Sequence, residues 1–375
     1  SYSYLLSIKT KNTMIINGNN NINQNIKNID VSLWLIFTII TLIFLIIIGG
    51  ITRLTESGLS ITEWQPISGI FFPFSEVSWH KEFDKYKQIP EFFLVNSSMT
   101  LAEFKIIYFW EWFHRSLARF LGLVFLIPYL YFTYKKKFSK KEKTFLPFIL
   151  LMGVLQAFVG WYMVQSGLVE NINVSQYRLA THLSIAFLIL GCLSLLYLSR
   201  SENIIYLENS PTLFLKISSL ALLILTFIQI ILGAFMSGTR SGLTYNTWPL
   251  IDGQFIPDGL FSISLWYLNF FENPLTIHFD HRMLAYVLCI ILFTQIIHIN
   301  KRYSGTPYKS SSLYLLAIML YQVIFGIIAV IYQVPIIIGV LHQFGAVLLF
   351  LVALRHFYLI NYCRFRLLRG PALDH

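Results

Sequence analysis

Charge is scarce in this sequence: Asp, Glu, Lys and Arg together make up 12% of its 375 residues, about half the share of an ordinary soluble domain. Acids are scarcer than bases, 18 against 28, and none precedes Asp30. Cysteine is nearly absent. Of the three, Cys192 and Cys289 fall inside apolar blocks and Cys363 in a basic tail, so no pair is placed for an outer-face disulfide and no CxxC spacing exists to hold a metal. These scarcities exclude a soluble globular domain and a disulfide scaffold. What is abundant is apolar side chain, 56% of the total, gathered in blocks rather than spread.

A membrane-spanning helix needs about 20 mostly apolar residues. Eight blocks qualify, at 33–52, 113–134, 145–166, 178–199, 212–236, 280–299, 312–332 and 336–359, which predicts an all-α polytopic membrane protein. Lys135, Lys136, Lys137, Lys140, Lys141 and Lys143 lie between spans two and three; His298, Lys301, Arg302 and Lys309 lie between six and seven; Arg364, Arg366 and Arg369 follow span eight. With eight spans, all of these share one face with both termini, and the positive-inside rule makes it the matrix or cytoplasmic face. The net charge of +10 is then a topology signal and a surface for anionic lipid, and nucleic acid is set aside as a partner. Residues 1–32, Asn-rich from Asn17 to Asn28, read as a low-complexity tail or a trimmed organelle-targeting segment.

The second half of the chain repeats the first at an offset of about 165 residues. Gly50 to Arg53, Ser57-Gly58-Leu59, Trp64 to Pro66 and Gly69 to Pro73 correspond to the run from Gly233 through Ser241-Gly242-Leu243, Trp248-Pro249 and Gly253 to Pro257. Trp112-Phe113-His114-Arg115 corresponds to Phe279-Asp280-His281-Arg282, and Thr181-His182-Leu183 to Leu341-His342-Gln343. Two parallel four-helix bundles are expected, 33–199 and 212–360, joined by a connector at 200–211 and followed by a basic tail at 361–375. Gly153, Gly160, Gly233 and Gly326 are expected to let helices approach closely.

The repeat also sorts the nine histidines. His114, His182, His281 and His342 pair off, each within the first turns of its predicted span and so near the outer surface. Intramembrane histidines face the bundle interior, and two imidazoles facing across a bundle are what a haem iron takes as axial ligands. With no CxxCH motif, such a haem is held without thioether bonds. His298 and His356 near the inner ends, His80 in a loop and His375 at the end need only interfacial or solvent roles. Glu111 precedes His114 by three residues, and His278 precedes His281 by three. This unlike pair suggests two sites with different tasks: a carboxylate beside a porphyrin can take a proton or offset developing positive charge, or simply pair with Arg115. Among Arg53, Arg115, Arg178, Arg240 and Arg282, all near predicted outer ends, Arg115 and Arg282 are the preferred partners for carboxylates such as haem propionates. Outer segments 53–112 and 237–279 carry Trp64, Trp79, Trp110, Trp112, Trp248 and Trp266, suited to cover a flat ring or to form an aromatic belt.

Four stretches carry a resemblance: Gly49 to Pro66, Glu103 to Arg115, Arg178 to Leu183, and Phe279 to Tyr286. The pattern resembles the mitochondrial and alphaproteobacterial type of haem A synthase from about residue 33 to 360. The resemblance implies a haem B cofactor held by His281 and His342, and substrate haem O near His114 and His182 with Glu111 beside it. It implies oxidation of a porphyrin C8 methyl to a formyl group through an alcohol and a gem-diol, with haem O supplied by haem O synthase and haem A passed to cytochrome oxidase assembly. A ferredoxin-type redox partner, association into homo-oligomers, and the mitochondrial inner membrane, or alternatively the bacterial plasma membrane, go with it. Some bacterial members carry a Cys pair in the first outer loop; its absence here fits the mitochondrial-like group, and the role of His278 is left open. The residues alone stop at two haem-sized sites in one membrane protein. A di-haem cytochrome b passing electrons, a haem transporter and a structural assembly factor are the rival readings.

Overall fold

Away from water a peptide backbone must satisfy its own hydrogen bonds, so each apolar block folds as one helix. The computed structural model describes residues 29–65, 68–168, 174–200, 204–207, 210–362 and 364–367. Eight helices are long and apolar enough to cross a membrane: α1 (Ile29–Leu54), α4 (Leu101–Tyr134), α5 (Lys140–Leu168), α6 (Gln176–Ser199), α7 (Leu213–Thr239), α10 (Pro274–Arg302), α11 (Pro307–Ile331) and α12 (Ile336–Asn361). The shortest, α6, is about 36 Å long at 1.5 Å per residue, enough for a hydrocarbon core of about 30 Å. Short helices α2 (Glu76–Tyr86), α3 (Pro90–Leu94), α8 (Ser241–Thr244) and α9 (Asn269–Glu272) occupy the two long connections. The asparagine-rich stretch, Cys363, Arg369 and His375 lie outside the described residues.

The second span begins at Leu101, well before the expected edge at 113. Thr100 caps it reciprocally: its Oγ1 accepts from the Glu103 amide, and the Glu103 carboxylate accepts from the Thr100 amide at 2.8 Å. Hydropathy detects only the lipid-immersed part of a helix, and a capping box starts this one some three turns earlier. Those extra turns support a hood of α2 and α3, packed on Trp79, Phe83, Tyr86, Phe104 and Tyr108. A second difference is a parallel pair of short strands, β1 (Ile204–Leu207) and β2 (Arg364–Leu367), which joins the connector to the segment after α12.

The seam between the two sets of four helices is formed chiefly by α6, α7, α12 and α1. Phe187 of α6 meets Phe350 of α12 edge-on at 5.4 Å. Gln343 of α12 donates through Nε2 to the Ile46 carbonyl of α1 at 2.8 Å. It can do so because Gly50 has no side chain: a methyl group there would fall 1.5 Å from Gln343 Oε1.

Toward the basic side the two sets are filled differently. Among α1, α4 and α5 an aromatic cluster of Trp34, Phe125, Phe132 and Phe138 closes the space. Between α7, α10, α11 and α12 the corresponding space holds a polar network. His356 is completely buried, with Nδ1 3.0 Å from Ser311 Oγ and Nε2 3.0 Å from Gln295 Oε1, and Gln295 Nε2 donates to Ser218 Oγ at 2.8 Å. The interfacial role expected for His356 is therefore wrong: hydropathy placed it near a helix end, but the three helices packed against α12 there shut out solvent. His298 does sit at the periphery, its Nε2 2.9 Å from Thr212 Oγ1.

Candidate functional site

Each paired histidine lies against a glycine of the neighbouring helix. A methyl group built on Gly160 (α5) or Gly326 (α11) would stand 3.0 Å from Cε1 of His182 (α6) or His342 (α12), and one on Gly233 (α7) 3.5 Å from Cε1 of His281 (α10). At Gly49 (α1) the nearest atom is Nε2 of His114 (α4), at 3.1 Å. Gly49, Gly160 and Gly326 thus make room for a ring on which even a methyl group would press, while at Gly233 a methyl group would be in ordinary contact. Gly153, expected to act likewise, faces nothing within 4 Å.

His281 and His342 face each other with ring centroids 6.5 Å apart and planes at 60°. Two imidazole nitrogens sharing one metal at about 2 Å each put their ring centres roughly 6 to 7 Å apart, so this pair fits the axial positions of one iron. Nδ1 of His182, His281 and His342 is buried without a hydrogen bond of good geometry among the described residues. No group of three or more His, Cys, Asp or Glu among those residues could hold a bare metal ion. A porphyrin-bound iron takes at most two such ligands, since the macrocycle supplies the other four, so a facing pair is enough.

Glutamines one turn before three of these glycines reach the same histidines. Gln156 Nε2 donates to the His182 carbonyl at 3.0 Å, Gln229 Nε2 donates to the His281 carbonyl at 2.8 Å, and Gln322 Nε2 lies 3.3 Å from His342 Nε2. Sequence reasoning missed them. The available signal was the spacing Gln-x-x-x-Gly, present at 156–160, 229–233 and 322–326.

Glu111 is 3% exposed. Its Oε2 accepts from Ser60 Oγ at 2.7 Å and from the Ile61 amide at 2.8 Å, and its Oε1 accepts from Arg115 Nη2 at 2.6 Å. Pairing with Arg115, one of the two readings open from sequence, is what the structure contains. Arg115 also donates to the carbonyls of Ile61 and Glu63, and Arg282 donates to those of Thr247, Pro249 and Leu250. Both arginines expected to meet carboxylates of a ligand thus clamp the long loop on their own side. Arg53 and Arg178 likewise reach backbone carbonyls, of Ser237 and Tyr162, and Arg240 pairs with Glu56 at 2.8 Å. His278 is fully buried against Tyr245, with neither ring nitrogen in a hydrogen bond of good geometry.

In the hood, Tyr86 donates to the buried Glu91 carboxylate at 3.3 Å, and Asn96 Nδ2 donates to the Tyr86 hydroxyl at 2.8 Å. Burial pushes Glu91 up to about 7, and Glu56 and Glu111 push it the same way. At the exposed edge the Lys85 ammonium, 2.9 Å from Glu63, holds that carboxyl below its usual range.

Residues 32–354 match the family described as cytochrome oxidase assembly protein. The chain is 44% identical to a heme A synthase of Parvibaculum lavamentivorans over 86% of its own length and 92% of the relative's. It is 44% identical to one from Nitrosospira multiformis, covering 86% and 91%, and 42% identical to one from Sinorhizobium fredii, covering 86% and 88%. This chain belongs to the haem A synthase family. Membership covers all eight spanning helices except the outer turns at either end, so Glu111 and the four glycine-backed histidines all lie within the matched region.

Proposed function

We propose that this chain is a multi-pass membrane oxidoreductase that converts the C8 methyl of haem O to a formyl group, yielding haem A for cytochrome oxidase. The observation that carries the proposal is similarity, over 86% of the chain, to proteins named heme A synthase. The 6.5 Å histidine pair supports it. On this reading haem B is held by His281 and His342 and supplies the redox-active iron, while haem O lies between His114 and His182. Written with water as the oxygen source, methyl to alcohol and alcohol to gem-diol would each take up one water and give up two protons and two electrons, the electrons passing to an external redox partner, and loss of water from the gem-diol would leave the aldehyde. Glu111, held in place by Ser60, the Ile61 amide and Arg115, is the acid of that half, where a carboxyl group can offset positive charge on the substrate or receive a proton. The glycines seat the rings, and Arg115 and Arg282 hold the outer loops over them. The basic face is taken as the inner one, where a ferredoxin-type protein exchanges electrons. The relatives named above are bacterial, which favours a plasma membrane; the sequence pattern also fits the mitochondrial inner membrane.

The test is chromatography with mass detection of haems extracted from the purified protein. Haem B together with haem O, its alcohol or haem A is the expected result. Haem B alone would make the protein an electron-transfer cytochrome, and no haem would overturn the site.

A further inference from the structure

The proposal below rests on the reading of His114 and His182 as ligands to a substrate porphyrin. Three of the four histidines are met by a glutamine from the adjacent helix, one turn before the glycine that seats the ring. The fourth is not. Four residues before Gly49 the chain has Leu45, which has no donor to offer. The comparison is close, because Gly233 and Gln229 on α7 stand to His281 as Gly49 and Leu45 on α1 stand to His114. A second, separate observation marks the same residue. His182, His281 and His342 turn Cε1 toward their glycines, whereas His114 turns Nε2 there, 3.1 Å from a methyl group built on Gly49. The edge that binds iron in the usual haem histidine is thus directed at α1.

We propose that His114 is the exchangeable ligand of this protein: it swings between the porphyrin and the Gly49 notch of α1, opening the substrate site for loading and release. Gln156 and Gln229 are positioning residues that tie the backbone carrying His182 and His281 to the adjacent helix, and Gln322 meets the His342 ring itself, whereas Leu45 gives His114 neither restraint. The chemical logic is that a resident cofactor needs two fixed ligands, while a porphyrin that must enter and leave needs one that lets go. An amide donor to the helix that carries the ligand restrains its position by about a hydrogen bond.

The test is Leu45→Gln, which would give α1 the arrangement of α7, with Gln156→Leu as its converse. Transfer of each pigment from the detergent-solubilised protein to apomyoglobin in excess is followed by absorbance, together with the low-spin electron paramagnetic resonance signals. The expected result is a slower release of the N-terminal porphyrin from Leu45→Gln, by about tenfold for a restraint of 1.4 kcal/mol, with the His281/His342 signal unchanged. Gln156→Leu should speed the same release and leave that signal alone. Unaltered release in both variants, with the N-terminal pigment present, overturns the proposal. Should His114→Ala and His182→Ala leave every pigment and signal as in the wild type, the site reading beneath it fails instead.

Discussion

A buried carboxylate is only as stable as its partners, and Glu111 shows how unequal those partners are. Arg115→Met removes the charged partner of buried Glu111 and leaves it two neutral donors, at a cost on the order of 3 kcal/mol. Glu111→Gln keeps an acceptor for Ser60 and Ile61 and should cost less. Denaturation midpoints of the two variants in detergent check this order. At the histidines, Gly326→Ala places a methyl group 3.0 Å from His342 Cε1; we expect the helices to form normally while the His281/His342 haem signal broadens or is lost. His281→Ala should abolish that signal, and His114→Ala should spare it. The four histidines stood out because the chain carries each of their motifs twice, so chance residues drop out on comparison, and Glu111 stood out because its counterpart, His278, is unlike it. The glutamines did not, since they act through carbonyls of another helix that only packing brings near. The loop partners of Arg115 and Arg282 were not legible for a related reason: the carbonyls that accept from them lie far away in the chain.

At the level of helices and loops, length and apolarity made all eight spans readable, and their edges failed where a cap or a loop contact decides. The α1–α12 contact is one such detail. Gly50→Ala should expel the Gln343 side chain from its notch and strand its amide, costing about 1–3 kcal/mol. Gln343→Ala in the same chain should recover much of the loss, which a double-mutant cycle of melting temperatures measures. The hood offers a pH signature. Glu91 titrates near 7 when folded and near 4.3 when unfolded, so the folded form binds the extra proton between these values. Hood stability is therefore greatest below about pH 4.5, falls as pH rises to 7, and levels off above it. Hydrogen exchange across α2 and α3 should follow this slope, and Glu91→Gln should flatten it.

Across the whole molecule, the basic residues predict orientation. Cysteine placed at exposed Lys140, at the start of α5, should react with an impermeant maleimide only from the inner side of vesicles. Cysteine at Phe74, 87% exposed in the outer segment, should react only from the other; equal labelling from both sides would refute the topology. The contrast between the aromatic plug on one side of the seam and the His356 network on the other was invisible in the sequence, because neither departs from apolar spacing enough to register. The short β1–β2 pair has a consequence for how the chain is made. Ile204 pairs with Arg364, roughly 160 residues later in synthesis, which at 5–20 residues per second is a delay of about 8–30 s. Throughout that interval the connector has no strand beside it, so this contact cannot form before α12 has been translated, and it then fastens the segment after α12 back to the connector that precedes α7.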